Sequence, residues 1–241
     1  MQALVMICVL VFAHTTETIL GFGATVIAFG LGAHIYPVST LLVMLVLLAL
    51  AQNLWLFARW FRHIEWRLVL TRIGPAVLPG VALGMLLRSR ADETLLKTIL
   101  GIFIICVSVM DLVLLAAPEK REPRRLPAPA GIAVLFAGGI FHGLFATGGP
   151  LIVYYAGKVF ASQESMRGTL SFVWIVLNSI ILTGLIAAGA VTVEAMRSTA
   201  LLAPGLIAGI AIGSAIRVKD NHFKVFTYVM LLFIGIALVV R

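Results

Sequence analysis

Residues 17–25 read ETILGFGAT and residues 142–150 read HGLFATGGP. They align at a constant offset of 125 residues: Glu17 on His142, Gly21 on Ala146, Gly23 on Gly148, Ala24 on Gly149 and Thr25 on Pro150. The same offset pairs Gly32 with Gly157, Asn53 with Asn178, Arg72 with Arg197, Pro79 with Pro204, Gly80 with Gly205 and Gly84 with Gly209. A register that holds without a gap over this length points to a duplicated chain. In an apolar protein, glycine-broken hydrophobic segments at matching places in two halves point to a transporter's binding site.

The apolarity is plain. Of 241 residues, 61% are hydrophobic and 12% charged, about half the charge of a soluble domain. Charge-free apolar runs at 35–58, 73–87, 168–193, 198–216 and 225–240 suit helices crossing a hydrocarbon core of roughly 30 Å. No alternation over ~10-residue segments suggests barrel strands. The fold class expected is therefore an all-α polytopic membrane protein. The net charge of +8 does not indicate nucleic acid, because Lys and Arg sit in the connections between spans, as the positive-inside rule describes. The first apolar run starts at Ala3 without a basic leader or a clean cleavage site, so it reads as part of the mature chain. Cys8 and Cys106 stand alone in apolar segments and read as inert. No cofactor and no metal site is expected.

Residues 1–34 and 130–157 are too long for one straight span and too short for two. Each reads as two half-helices joined by an unwound turn, with Gly23, Gly148 and Gly149 allowing close approach and positive φ and Pro150 opening the second arm. Three apolar segments follow each, at 38–58, 73–87 and 95–117, then at 168–190, 198–216 and 223–240. The organisation expected is a first repeat (1–117), a basic Pro-rich linker (118–129) and a second repeat (130–241). If every segment crosses, the 18 Lys and Arg divide ten against eight. If both broken segments are re-entrant, they divide thirteen against five. The second division obeys the positive-inside rule. It makes the four-segment repeats inverted and puts both termini outside the cytoplasm.

The stretch 138–150, GGIFHGLFATGGP, resembles the second-half motif of the sulfite exporter TauE/SafE family of integral membrane proteins, a Gly-rich turn followed closely by proline. The first copy, GFGAT at 21–25, has a shorter glycine run and no proline. The resemblance covers nearly the whole chain. It implies a non-enzymatic exporter of sulfite, organosulfonates or related small anions across the bacterial inner membrane.

The candidate substrate-binding residues are Gly21, Gly23, Ala24, Thr25, Asn53, Thr147, Gly148, Gly149, Pro150 and Asn178. Helix N-termini near Ala24 and Gly149 would offer unpaired N–H groups and about half a positive charge, meeting near the bilayer midplane as in other inverted repeats. No Lys or Arg lies deep in a span, so amides and neutral donors would do the binding. Glu17 and His142, at equivalent positions, are candidates for proton coupling, with His14 one turn from Glu17. Gly32, Gly84 and Gly209 read as close-packing positions. Pro79 and Pro204 read as fixed kinks. Trp55, Trp60 and Trp66 read as an interfacial belt. The expected partners are a small anion, the lipid bilayer and protons; pairing of two copies stays open. The alternatives are an anion channel and a non-transporting membrane scaffold or assembly factor.

Overall fold

The computed structural model describes residues 2–20, 23–116, 126–216 and 221–240. Gly21, and 118–125 of the linker, lie outside them. The described chain is helical: α1 (Gln2–Leu20), α2 (Ala24–Gly32), α3 (Val38–Trp60), a 3-10 turn, α4 (Trp66–Leu68), a π-helical segment (Val69–Ile73), α5 (Gly74–Arg88), α6 (Glu93–Ala116), α7 (Ala128–Phe145), α8 (Gly149–Val159), α9 (Gln163–Ala187), α10 (Val193–Ala215) and α11 (Asn221–Val239). Seven described helical segments are long and apolar enough to cross a membrane, α1 and α7 among them, with 66–88 counting as one. The protein is a multi-pass membrane protein.

Local chemistry sets the helix starts. Asp92 accepts from Leu95 N–H at 2.7 Å, Ser162 from Ser165 N–H at 3.1 Å and Thr192 from Ala195 N–H at 3.1 Å, each capping a span that would otherwise begin with orphan donors. Hydroxyls inside spans donate one turn back, as Thr18 does to His14 O at 2.7 Å and Ser108 to Ile104 O at 2.7 Å. That is how a polar side chain is satisfied in an apolar medium. Large apolar side chains such as Leu70, Val113, Ile207 and Phe233 are exposed, as lipid-facing residues are.

Two compact units form, and both are interleaved in sequence. Among the described residues, one draws on those within 1–42, 91–116 and 197–240, the other on 43–90 and 126–196. In the first, α1 and α2 make a hairpin, α10 lies along α1, and α6 pairs with α11. In the second, α7 and α8 make a hairpin and α5 lies along α7. Each unit thus combines the broken segment of one half with the third segment of the other.

Glycines make these pairings possible. A Cβ on Gly80 would strike Phe136 O, and one on Gly84 would strike Ile140 O and Gly143 Cα. In the other unit, a Cβ on Gly209 would strike Val11 O, His14 Cβ and Thr15 N, and one on Gly213 would strike Thr15 O and Thr18 Cβ. Gly84 on Ile140 and Gly209 on Thr15 are the same contact, 125 residues apart at both ends. Residue numbers rise together along both partners, so each pair runs parallel. Gly32 likewise packs against Leu41 and the Met6 thioether. These glycines bring backbones into contact, the membrane mode of helix association. Pro79 and Pro204 lie inside α5 and α10, and the π segment at 69–73 precedes the first of them. Trp55 and Trp66 are 43% and 50% exposed, as belt residues would be.

Candidate functional site

Both broken segments fold back on themselves. In the first, Gly32 at the end of α2 reaches Met6 near the start of α1, while Glu17 meets Ala24 at the turn. In the second, Gly148 packs on Gly138 and His142, Ile152 on Gly138, and Tyr155 on Gly131. The arms are unequal, unlike the half-helices the sequence suggested. α1 has 19 residues and α2 has 9; α7 has 18 and α8 has 11. At 1.5 Å per residue α7 is about 27 Å long, and α8 starts level with residues 138–142, past its middle.

The turn chemistry also differs from the expectation of positive φ at Gly148 and Gly149. Gly23 does take it, at φ 107. In the second turn the left-handed residue is Ala146, at φ 55, while Gly148 is helical at φ −65. Gly148 is needed for closeness instead: a Cβ there would run into Gly138 O and lie 2.8 Å from His142 Cβ. Gly149 and Pro150 open α8. Pro150 has no N–H, so Gly149 and Leu151 carry the first-turn donors without an acceptor inside the helix.

The equivalent residues Glu17 and His142 do different things. Glu17 Oε2 accepts from Ala24 N–H at 2.9 Å. The leading amide of α2, assigned to substrate from the sequence, is therefore held by the chain's own carboxylate. Thr25, next to it, is half-buried. His14 is buried one turn before Glu17, with its Cβ against Gly209, and Thr15 donates to Gly209 O at 3.2 Å. His14 serves the α1–α10 contact.

The second hairpin has no such carboxylate. The His142 ring stacks on Trp174 of α9, centroids 5.4 Å apart and planes 21° apart. Asn178, one turn further along α9, approaches the imidazole, but neither ring nitrogen meets a partner at hydrogen-bonding geometry. Thr147 Oγ1 and Asn178 Oδ1 are also buried without a partner. Asn53 donates from Nδ2 to Ala49 O at 2.7 Å, and its Oδ1 is left buried and unpaired. α3 and α9 run antiparallel, with Phe57 on Phe172 and Gly168 against Trp60 O. One turn back from Phe57, Asn53 comes level with the Trp174–Asn178 stretch.

Two residues outside the candidate set join the site. Trp174 is the surface on which His142 lies. Arg88 donates to Gly143 O at 3.3 Å, a cation at the C-terminal end of α7, where it suits the helix dipole. Its signal was a broken symmetry: the register pairs Arg88 with Gly213, and Gly143 with Thr18. No group of three or more His, Cys, Asp or Glu that could hold a metal occurs among the described residues.

A family profile described as "Sulfite exporter TauE/SafE" matches residues 6–238. The chain is 28% identical over 173 residues to a protein of Cupriavidus necator named "Probable sulfite/organosulfonate exporter TauE". The alignment takes in 68% of this chain and 64% of that relative. No solved structure matches the chain.

Proposed function

Since the chain belongs to the sulfite exporter TauE/SafE family of membrane transporters, we propose that it is a secondary transporter exporting a small anion, such as sulfite or an organosulfonate, across a bacterial inner membrane. The observation that carries this is the second hairpin. It joins the N-terminus of α8 to the unpaired polar atoms of Thr147, His142 and Asn178, buried in a membrane helix bundle. Unpaired polar groups are costly in that setting, and a small oxyanion would satisfy them. Backbone amides and the helix dipole attract it without binding it as firmly as an ion pair would. The first hairpin is the same device with Glu17 in the anion's place.

The hairpins also support re-entrant broken segments. α2 returns toward the start of α1 and α8 toward the start of α7, so each pair enters and leaves on one side. Three spans then follow each hairpin, and the halves are inverted. The side holding thirteen Lys and Arg is the cytoplasmic one. Proton coupling through Glu17 or His142 belongs to the same proposal.

The test is counterflow in proteoliposomes of the full chain. Sulfite or an organosulfonate loaded inside should drive uptake of labelled anion, without single-channel conductance, and an imposed pH gradient should change the rate. Conductance steps in place of counterflow would favour a channel; neither would favour a scaffold. A rate indifferent to the gradient, and equal in Glu17→Gln, would remove proton coupling alone.

A further inference from the structure

The hydrogen-bonding character of the second hairpin specifies more than an anion. We propose that its seat selects a monoanion that carries its own hydrogen-bond donor, such as a hydrogen oxyanion or a hydroxyl-bearing sulfonate, over a bare sulfonate or a dianion. The inference rests on the transport reading above and names its substrate class.

The argument starts from which atoms are unpaired. A seat built for a bare sulfonate would show donors only, because sulfonate oxygens only accept. The α8 N-terminus, the Thr147 hydroxyl and one nitrogen of a neutral imidazole are such donors. Acceptors with nothing to accept lie on α9, where Asn178 approaches His142, and on α3, level with that stretch. Asn53 Oδ1 is buried and unpartnered, and its orientation is fixed because Nδ2 of the same amide donates to Ala49 O at 2.7 Å. Asn178 Oδ1 is buried and unpartnered as well, and the second imidazole nitrogen is a further acceptor. Both asparagines are 3% exposed, His142 is 2% and Thr147 is 0%, so bulk water does not reach them freely. A buried acceptor left unpaired is unfavourable, and a ligand with a proton to donate removes that penalty where a bare sulfonate cannot.

Charge points the same way. The Arg88 guanidinium is held at the end of α7, on Gly143 O at 3.3 Å, the residue after His142. One cation and one helix N-terminus suit one negative charge. A dianion would bring a second charge into a low-dielectric site with nothing to balance it.

The probe pair is 2-hydroxyethanesulfonate and ethanesulfonate, equal in charge and close in size, with sulfate as the dianion. Binding to the purified full chain is measured by thermal shift and calorimetry, and counterflow in liposomes. The hydroxylated sulfonate should bind at least about tenfold more tightly than ethanesulfonate, a step of about 1.4 kcal/mol, and sulfate should not compete. Asn53→Leu should bring that ratio close to one by weakening the hydroxylated sulfonate more than ethanesulfonate, whereas a merely structural role for the amide would weaken both alike. Asn178→Leu should act in the same direction. Equal affinities in the unmodified protein would overturn the inference and mean that ordered water alone meets the free acceptors; the transport reading would survive. If sulfite and both sulfonates neither bind nor drive counterflow, the transport reading falls and takes this inference with it.

Discussion

Substituting Gly148 by alanine tests the geometry of the second turn directly. Gly148 has ordinary helical torsions, φ −65 and ψ −1, so alanine costs nothing there through its backbone. The cost comes from space. The new methyl would collide with Gly138 O and come within 2.8 Å of His142 Cβ. Neither obstacle is the flexible end of a side chain, so α8 must move off α7. Overpacking of this kind typically costs about 1–3 kcal/mol, and the upper part of that range applies because the obstacle is backbone. The displacement carries Thr147 and the α8 N-terminus away from His142. Two controls separate the causes. Gly157→Ala meets nothing within 4 Å on an exposed face of α8 and should stabilise by up to about 1 kcal/mol through helix propensity. Gly23→Ala also meets nothing within 4 Å but keeps φ 107, so it should lose about 1–3 kcal/mol through backbone strain alone. Unfolding in detergent micelles gives the stabilities, and counterflow of the purified variants gives the function. Gly148→Ala with the stability and flux of the unaltered chain would refute the close packing of α7 on α8, and with it the seat built there.

The remaining predictions concern topology and the two charged groups at the hairpins. Single cysteines at Ser39 and Gln163, both exposed and at the starts of α3 and α9, should react with an impermeant thiol reagent from opposite sides of the membrane, in a Cys8→Ala, Cys106→Ala background; reaction from one side would mean that the broken segments cross. Glu17→Ala should destabilise by about 1–2 kcal/mol, because the Ala24 N–H loses its acceptor, whereas Glu17→Gln keeps one and should lose less than half of that; equal losses would show that charge, not the hydrogen bond, matters at the turn. Arg88→Met should cost about 0.3–1 kcal/mol from the lost contact at the end of α7 and raise the half-saturating anion concentration in counterflow; an unchanged half-saturation would separate Arg88 from the anion's path.

Much of this protein was legible along the chain. Apolar runs of span length fix a helical membrane protein, because bilayer thickness and helix rise are constants. The register of 125 residues fixed where the two turns lie, and the polar residues near the second of them, Thr147, His142 and Asn178, were already in view. The packing roles of Gly84 and Gly209 were also foreseeable, since small residues at matched places in membrane helices bring backbones together. Tertiary structure decided the rest. Ala146 rather than Gly148 takes the left-handed torsion, because the limit on Gly148 is set by Gly138, ten residues away on the facing arm. Glu17 and His142 look equivalent in one dimension; one holds the amide of α2 and the other lies on Trp174 with its nitrogens unpaired. No repeat pattern encodes that difference, because it depends on which helix each side chain faces. The exchange of third segments between the halves, α5 along α7 and α10 along α1, arises the same way: apolar periodicity states that a face must be covered, and only the folded chain says by what.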